Sequence, residues 1–192
     1  MNTSLSLAPQ VSTEAQLQWL QRADRTVALD IMKLINSTVE DGGVLGYEQA
    51  MSVDQGVDFA AALQARIEGG HTYALLGRAP AGPACLVILS RSSMPNCRHI
   101  ADLSKGVVHP DYRGSGLVAR AFAEIVRLCQ AKGIELLTLD VREGTRAHRL
   151  WQRFGFQTYG VLDDYARVNG EKHRGHYMAQ SVQSLAQRLN LS

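Results

Sequence analysis

Between Ile100 and Val141 the chain reads strand, glycine-bearing loop, amphipathic helix, strand, and this order constrains the fold more than any other feature. Neighbouring parallel strands need a crossover of a dozen or more residues, usually helical. Ile100 to Val108 has strand composition and is stopped by Pro110. Val118, Phe122, Ile125, Val126 and Cys129 then form one helical stripe, with Lys132 in the last turn and Gly133 as C-cap. Glu135 to Val141 sets Leu137, Leu139 and Val141 against Leu136, Thr138 and Asp140, which predicts an interior strand with one polar end. The chain therefore contains a βαβ unit.

On either side the pattern differs. Leu17, Leu20, Val27, Ile31, Leu34 and Ile35 have helical spacing, so one or two helices are predicted between Ser12 and Asn36. A glycine-bearing loop, Glu40 to Tyr47, precedes a helix around Val57 to Ile67 that stops at Gly69-Gly70. His71 to Leu76 and Ala84 to Leu89 read as a hairpin, with Ala79 to Pro83 unable to continue either strand. Ala147, Leu150, Trp151 and Phe154 form a short helix before Gly155. Phe156 to Val161 and His176 to Gln180 complete the sheet, and Ser181 to Leu189 is a short polar helix. The expected class is α+β, three layers α/β/α, with a flexible N-terminus over residues 1–12, one domain over 13–180 and a helical tail over 181–192.

With 192 residues, 45% hydrophobic and 20% charged, the chain is long enough to bury one core and too apolar to stay disordered. Its apolar runs, such as Ala84 to Leu89, fall short of the ~20 residues of a membrane span. Met1 to Ser12 has no basic residue and no apolar h-region, and Cys85, Cys97 and Cys129 lack zinc or disulfide spacing, which points to the cytoplasm. The six histidines show no metal-ligand spacing, so no metal is expected. Charge is asymmetric: residues 1–96 carry six basic against nine acidic groups, residues 97–192 fourteen against nine. A basic half suits a phosphate-bearing ligand, although scattered solvated charge gives the same count. No nucleic-acid-binding signature occurs.

The loop between the βαβ strand and its helix carries the chemistry: Val107-Val108-His109-Pro110-Asp111-Tyr112-Arg113-Gly114-Ser115-Gly116-Leu117-Val118. The first N–H groups of a helix lack internal partners and sit at the positive end of its dipole, so a diphosphate accepts from them when no side chain intervenes. Gly114 and Gly116 clear that approach and Arg113 adds a fixed charge. Neither a P-loop nor a Gly-x-Gly-x-x-Gly fingerprint is present. A glycine-softened turn with a surface arginine has the same composition.

The run Val-x-Pro-x-x-Arg-Gly-x-Gly-Leu, followed by helix, strand and Arg-x-Leu-Trp-Gln-Arg-Phe-Gly-Phe, resembles the GNAT superfamily of N-acetyltransferases over about Ile100 to Gly160. Val39-Glu40-Asp41-Gly42-Gly43-Val44-Leu45-Gly46-Tyr47, Ala101-Asp102-Leu103-Ser104-Lys105-Gly106, Leu139-Asp140-Val141 and Gly160 to Ala166 further resemble the tabtoxin-resistance-like subgroup, which acts on small amines. The resemblance implies a mixed, mostly antiparallel twisted sheet and acetyl-CoA as co-substrate. It places Val107 and Val108 along the pantetheine arm, and Arg113, Gly114, Ser115, Gly116, Leu117 and Val118 around the pyrophosphate. Val118 replaces the family's Gly or Ala, and Trp151 stands where a tyrosine proposed as general acid usually stands. Asp102 takes the place of a glutamate and is the candidate base, with pairing to Lys105 or an arginine as the structural alternative. Asp140 is a second candidate. Asp41 and Tyr165 are candidate acceptor residues, a solvated loop acid and a packed tyrosine being the alternatives. The implied activity is transfer of an acetyl group to the primary amine of a small molecule. A protein lysine or N-terminal acetyltransferase, and a non-catalytic acyl-CoA-binding domain, are the alternatives; a homodimer is compatible with each.

Overall fold

Seven strands form a single sheet in the order β1-β2-β3-β4-β5-β7-β6 in the computed structural model, which describes residues 14–42, 45–47 and 49–191. The strands are β1 (Gln16–Trp19), β2 (Thr72–Ala79), β3 (Gly82–Arg91), β4 (Ile100–Val108), β5 (Leu136–Arg142), β6 (Gln157–Val168) and β7 (Glu171–Ser181). The helices are α1 (Arg25–Glu40), α2 (Val53–Glu68), α3 (Leu117–Lys132), α4 (Arg146–Arg153) and α5 (Val182–Arg188). Every strand pair is antiparallel except β4 with β5, and α3 is the crossover between those two. The architecture is the expected mixed sheet with a central βαβ unit.

Each face of the sheet has its own core. Leu75, Leu89, Phe122, Ile125, Leu137 and Phe156 are among the buried residues on the face covered by α3 and α5, and Ile31, Leu34, Ile35, Leu63, Leu76 and Ile88 are among those under α1 and α2. The caps follow from sequence: Asp24, Ser52 and Thr145 accept from the N–H groups of Val27, Gln55 and His148 at the starts of α1, α2 and α4. No helix among the described residues is long and apolar enough to cross a membrane.

Four expectations are corrected. Leu17 and Leu20 do not begin a helix: Gln16–Trp19 is a strand paired with β2, and α1 starts only after Asp24. A four-residue strand is too short to show its period of two, so its leucines merge with the stripe of the helix that follows. Between β2 and β3 only Pro80 and Ala81 are turn, because Ala79 pairs with Gly82 and Arg78 with Pro83. The last hairpin is much longer than its apolar segments, running to Asn169-Gly170. Both turn residues have positive φ, +51° and +82°, the geometry for which Asn-Gly is preferred in two-residue hairpins. The polar residues near its tip hide the strand because they pair with one another, as in Lys172–Asp164 (3.0 Å) and Arg174–Asp163 (2.8 Å). The C-terminal helix also differs from a polar tail, since Val182, Leu185 and Ala186 are buried in the core.

One buried polar residue makes the fold sensitive to pH. His148, 7% exposed, accepts from the Gly144 N–H (3.3 Å) through Nδ1, stacks on His176 with ring centroids 4.3 Å apart, and has no partner for Nε2 among the described residues. Burial, and then the His176 charge, holds its pKa below the ordinary 6.5; Glu143 acts in the opposite sense and Arg149 adds to the lowering. The unfolded chain therefore takes up this proton first, and stability present above about pH 6.5 is lost as pH falls through the lower folded-state value. The thermal midpoint should fall on acidification, and His148→Leu should flatten that dependence. A variant retaining the full slope would place its origin elsewhere.

Candidate active site

The site begins where β4 and β5 part. Their parallel pairing covers only Ile100–Leu136, Ala101–Leu137 and Asp102–Thr138. Beyond this β4 continues with β3 as far as Val108, and β5 with β7 as far as Arg142, leaving a gap between the two.

A bulge in β4 sets what faces that gap. Leu86 pairs with Val107 but Ile88 with Ser104, so β4 holds one residue more than β3 around Lys105, whose φ is +51°. The extra residue reverses the alternation: Leu103 is buried on the α3 face and Val107 on the α1 face, although four residues apart they would otherwise share a side. The N–H of His109 donates to Ala84 O (2.9 Å) on β3. Because successive N–H groups alternate sides, the N–H of Val108 points into the gap and that of Val107 toward β3. Of the two valines expected along the pantetheine arm, Val108 alone presents its amide there. Trp151 borders the same place: a Cβ on Gly106 would lie 3.1 Å from its indole, whose other edge packs on Phe122 and Phe156.

The gap leads to the start of α3. Gly114 and Gly116 have φ of +77° and +80°, and a Cβ on either would meet nothing within 4 Å, so the space above the loop is open. Gly116 is the N-cap and, unlike the caps of α1, α2 and α4, offers no side-chain acceptor to the first N–H groups. The exposed Ser115 donates its hydroxyl to Tyr112 O (2.6 Å) within the loop. Leu117 is buried beside Ala84 and Cys85, and Val118 packs against the α3-side core. These two anchor the helix start, whose first backbone donors have no side-chain cap. The loop thus suits a diphosphate: bare donors at a positive helix end, no obstructing side chain, one guanidinium.

Titratable groups collect at the opposite end of the gap. Asp102 and Thr138 are register partners, and the Thr138 hydroxyl donates to Asp102 Oδ1 (3.1 Å). Neither Lys105 nor an arginine forms an ion pair with Asp102 among the described residues. Burial pushes its carboxyl above the ordinary carboxylate value; the Thr138 bond opposes this, Asp140 adds to it and Arg66 lowers it. Asp140 lies two residues beyond Thr138, on the same face of β5. It accepts from the Tyr165 hydroxyl, and burial together with that bond keeps the phenol protonated far above its usual range. Tyr165 reaches Asp140 because its ring lies directly over Gly175, where any Cβ would overlap it.

Lys105 turns the other way, donating to Leu45 O (2.7 Å) with its ammonium 4.8 Å from the centre of the Tyr47 ring. Burial holds its pKa below the ordinary value, with Asp140 opposing. It thereby ties the α1–α2 connection to β4. Asp41 lies apart from this acceptor end: it accepts from Arg113 and sits 3.4 Å from Nη1 of Arg146, the first residue of α4. The structure therefore brings Asp102, Asp140 and Tyr165 together and puts Asp41 with the glycine loop. Thr138 and Gly175 lie outside the motifs, and the tie from Lys105 to Leu45 joins residues 60 positions apart, so only the folded chain reveals these partners.

Comparison with known proteins agrees with this geometry. The profile of the acetyltransferase (GNAT) family matches residues 43–156. A Bacillus subtilis (strain 168) protein, provisionally named a ribosomal protein bS18-alanine N-acetyltransferase, is 35% identical over 72 residues, which are 37% of this chain and about half (48%) of that relative. Among solved structures, a ribosomal-protein-alanine N-acetyltransferase from Brucella melitensis has a TM-score of 0.69 at 17% identity, covering 86% of this chain and 99% of its own. A GNAT superfamily phosphinothricin acetyltransferase from Sinorhizobium meliloti, in complex with acetyl-CoA, has a TM-score of 0.69 at 18% identity, covering 87% and 88%. With the family profile spanning more than half its length, from the loop after α1 to the residue before β6, the chain belongs to the GNAT family of acetyltransferases.

Proposed function

We propose that the protein is an acetyl-CoA-dependent N-acetyltransferase acting on the primary amine of a small molecule. The observation that carries this reading is the gap between β4 and β5, which joins an uncapped helix start at one end to a half-buried carboxylate at the other. Acetyl-CoA supplies an acyl thioester, activated toward a nitrogen nucleophile. Arg113 and the first amides of α3 hold its diphosphate, and the free edge of β4 lies along the pantetheine arm. The N–H of Val108 is a fixed donor for the carbonyl oxygen where negative charge develops. Asp102 removes a proton from the incoming ammonium; its raised pKa moves it toward the working pH of a general base. Trp151 has no acidic proton to give a departing thiolate, so it excludes water beside Gly106, and a thiol of ordinary pKa about 8.5 leaves without a dedicated acid.

A small acceptor is favoured by the Lys105 tie, which draws Leu45 and Tyr47 onto β4, and by Tyr165, which closes the far side over Asp140. The motifs shared with the tabtoxin-resistance-like subgroup point the same way. The Bacillus subtilis relative supports a second reading, acetylation of a protein N-terminal alanine. Thiol release from acetyl-CoA, measured with a panel of small primary amines and with alanine-initiated peptides, separates the two. Small amines are expected to stimulate release and peptides to be poor acceptors. Preference for peptides would establish the second reading, and no stimulation by any acceptor in folded protein would refute both.

A further inference from the structure

Asp41 occupies a position that its own helix does not explain. It caps the C-terminal end of α1, its N–H bonded to Ser37 O (3.3 Å), and Glu40 precedes it with no basic residue in the last turn. A carboxylate at that end of a helix faces the negative pole of the dipole and is disfavoured there. What holds it lies across the cleft. Its Oδ2 accepts from Arg113, at the approach to α3, and lies 3.4 Å from Arg146, which opens α4. The bond to Arg113, and then the charges of Arg113 and Arg146, hold its pKa below the ordinary value. The carboxylate thus spans two guanidiniums at two positive helix ends.

We infer that Asp41 holds the place of the coenzyme A diphosphate, pairing with Arg113 in the free protein and giving it up when the ligand binds. This rests on the reading of the Arg113 loop as the diphosphate site. Arg113 reaches Asp41 through Nη1, and a phosphate that takes this donor displaces the carboxylate, so Asp41 is a competitor for the loop. Its release leaves the negative charge at the α1 C-terminus with Arg146 as its remaining partner among the described residues. The α1–α2 connection is then held through the bond from Lys105 to Leu45. Occupancy of the diphosphate site is in this way coupled to the segment that closes over the acceptor. Asp41 is accordingly a positioning residue for the two arginines, not a contact for the substrate ammonium.

Calorimetric titration with coenzyme A, comparing the wild-type protein with Asp41→Asn, tests this without turnover. The variant should bind about two- to fivefold more tightly, the range expected for removing a competing exposed ion pair. Affinity for pantetheine, which has no diphosphate, should be unchanged. In Arg113→Gln the Asp41→Asn change should have no further effect on coenzyme A binding. Hydrogen exchange at residues 45–47 should quicken when coenzyme A is added to the wild-type protein. Equal or weaker binding by Asp41→Asn would overturn the inference, as would an equal gain for pantetheine. If neither protein binds coenzyme A, the diphosphate reading itself fails; if the wild type binds and the variant shows no gain, the competition alone does.

Discussion

Asp102→Asn is expected to lower kcat about 10²- to 10⁴-fold, the usual contribution of a positioned general base, while leaving coenzyme A affinity unchanged. The base must be ionised, so kcat/KM in the wild type should rise with pH through the Asp102 value, which burial sets above the ordinary 3.8. That acidic limb should vanish in the variant. Stability should move the other way. A carboxyl whose pKa is raised on folding is stabilising only when protonated, and that stability is lost as pH rises through the folded value. At neutral pH the ionised carboxylate therefore costs the fold something, and an asparagine that still accepts from Thr138 should match or exceed the wild-type melting temperature. A lowered melting temperature with a retained acidic limb would make Asp102 structural.

Arg113→Glu should weaken coenzyme A binding by roughly 10- to 150-fold, corresponding to about 1.5–3 kcal/mol for a hydrogen bond to a charged group. It replaces an attractive charge with a repulsive one at the helix end and sets two carboxylates against each other, since Asp41 already lies there. The loop itself should stay folded, because Leu117 is buried and Ser115 remains bonded to Tyr112. Titration with coenzyme A, alongside circular dichroism, checks both statements. Undiminished affinity in a folded variant would move the diphosphate away from the α3 start.

The extent to which this was legible beforehand varies with the physics of each part. The βαβ unit is plain because α3 and β5 bury clean stripes, and Gly114 and Gly116 announce themselves because glycine alone combines easy positive φ with the lack of any side chain. The strand at Gln16–Trp19 was too short to show a period, and the β6–β7 hairpin is exposed near its tip, where ion pairs replace the hydrophobic alternation. Asp102 and Asp140 were recognisable as candidates, but their partners depend on strand register, which brings residues 36 and 25 positions apart together. Asp41 shows the limit most clearly. Its place in a glycine-rich loop suits ammonium recognition, and only the crossing of α1 toward the starts of α3 and α4 reveals two arginines within reach.

The additional residue at Lys105 has a consequence for how such a chain can change over time. Pairing with β3 decides the parity of Val108: Leu86–Val107 and Cys85–Val108 fix it on one side of Lys105 and Ile88–Ser104 fixes the strand on the other, so a one-codon deletion at Lys105 or Gly106 that kept both registers would straighten β4 without turning that amide. Lengthening the turn at Pro80–Ala81 by one residue leaves that parity untouched. Loss of the additional residue would therefore act on the bend of β4 just past its last pairing with β5, and not on the direction in which the Val108 amide faces.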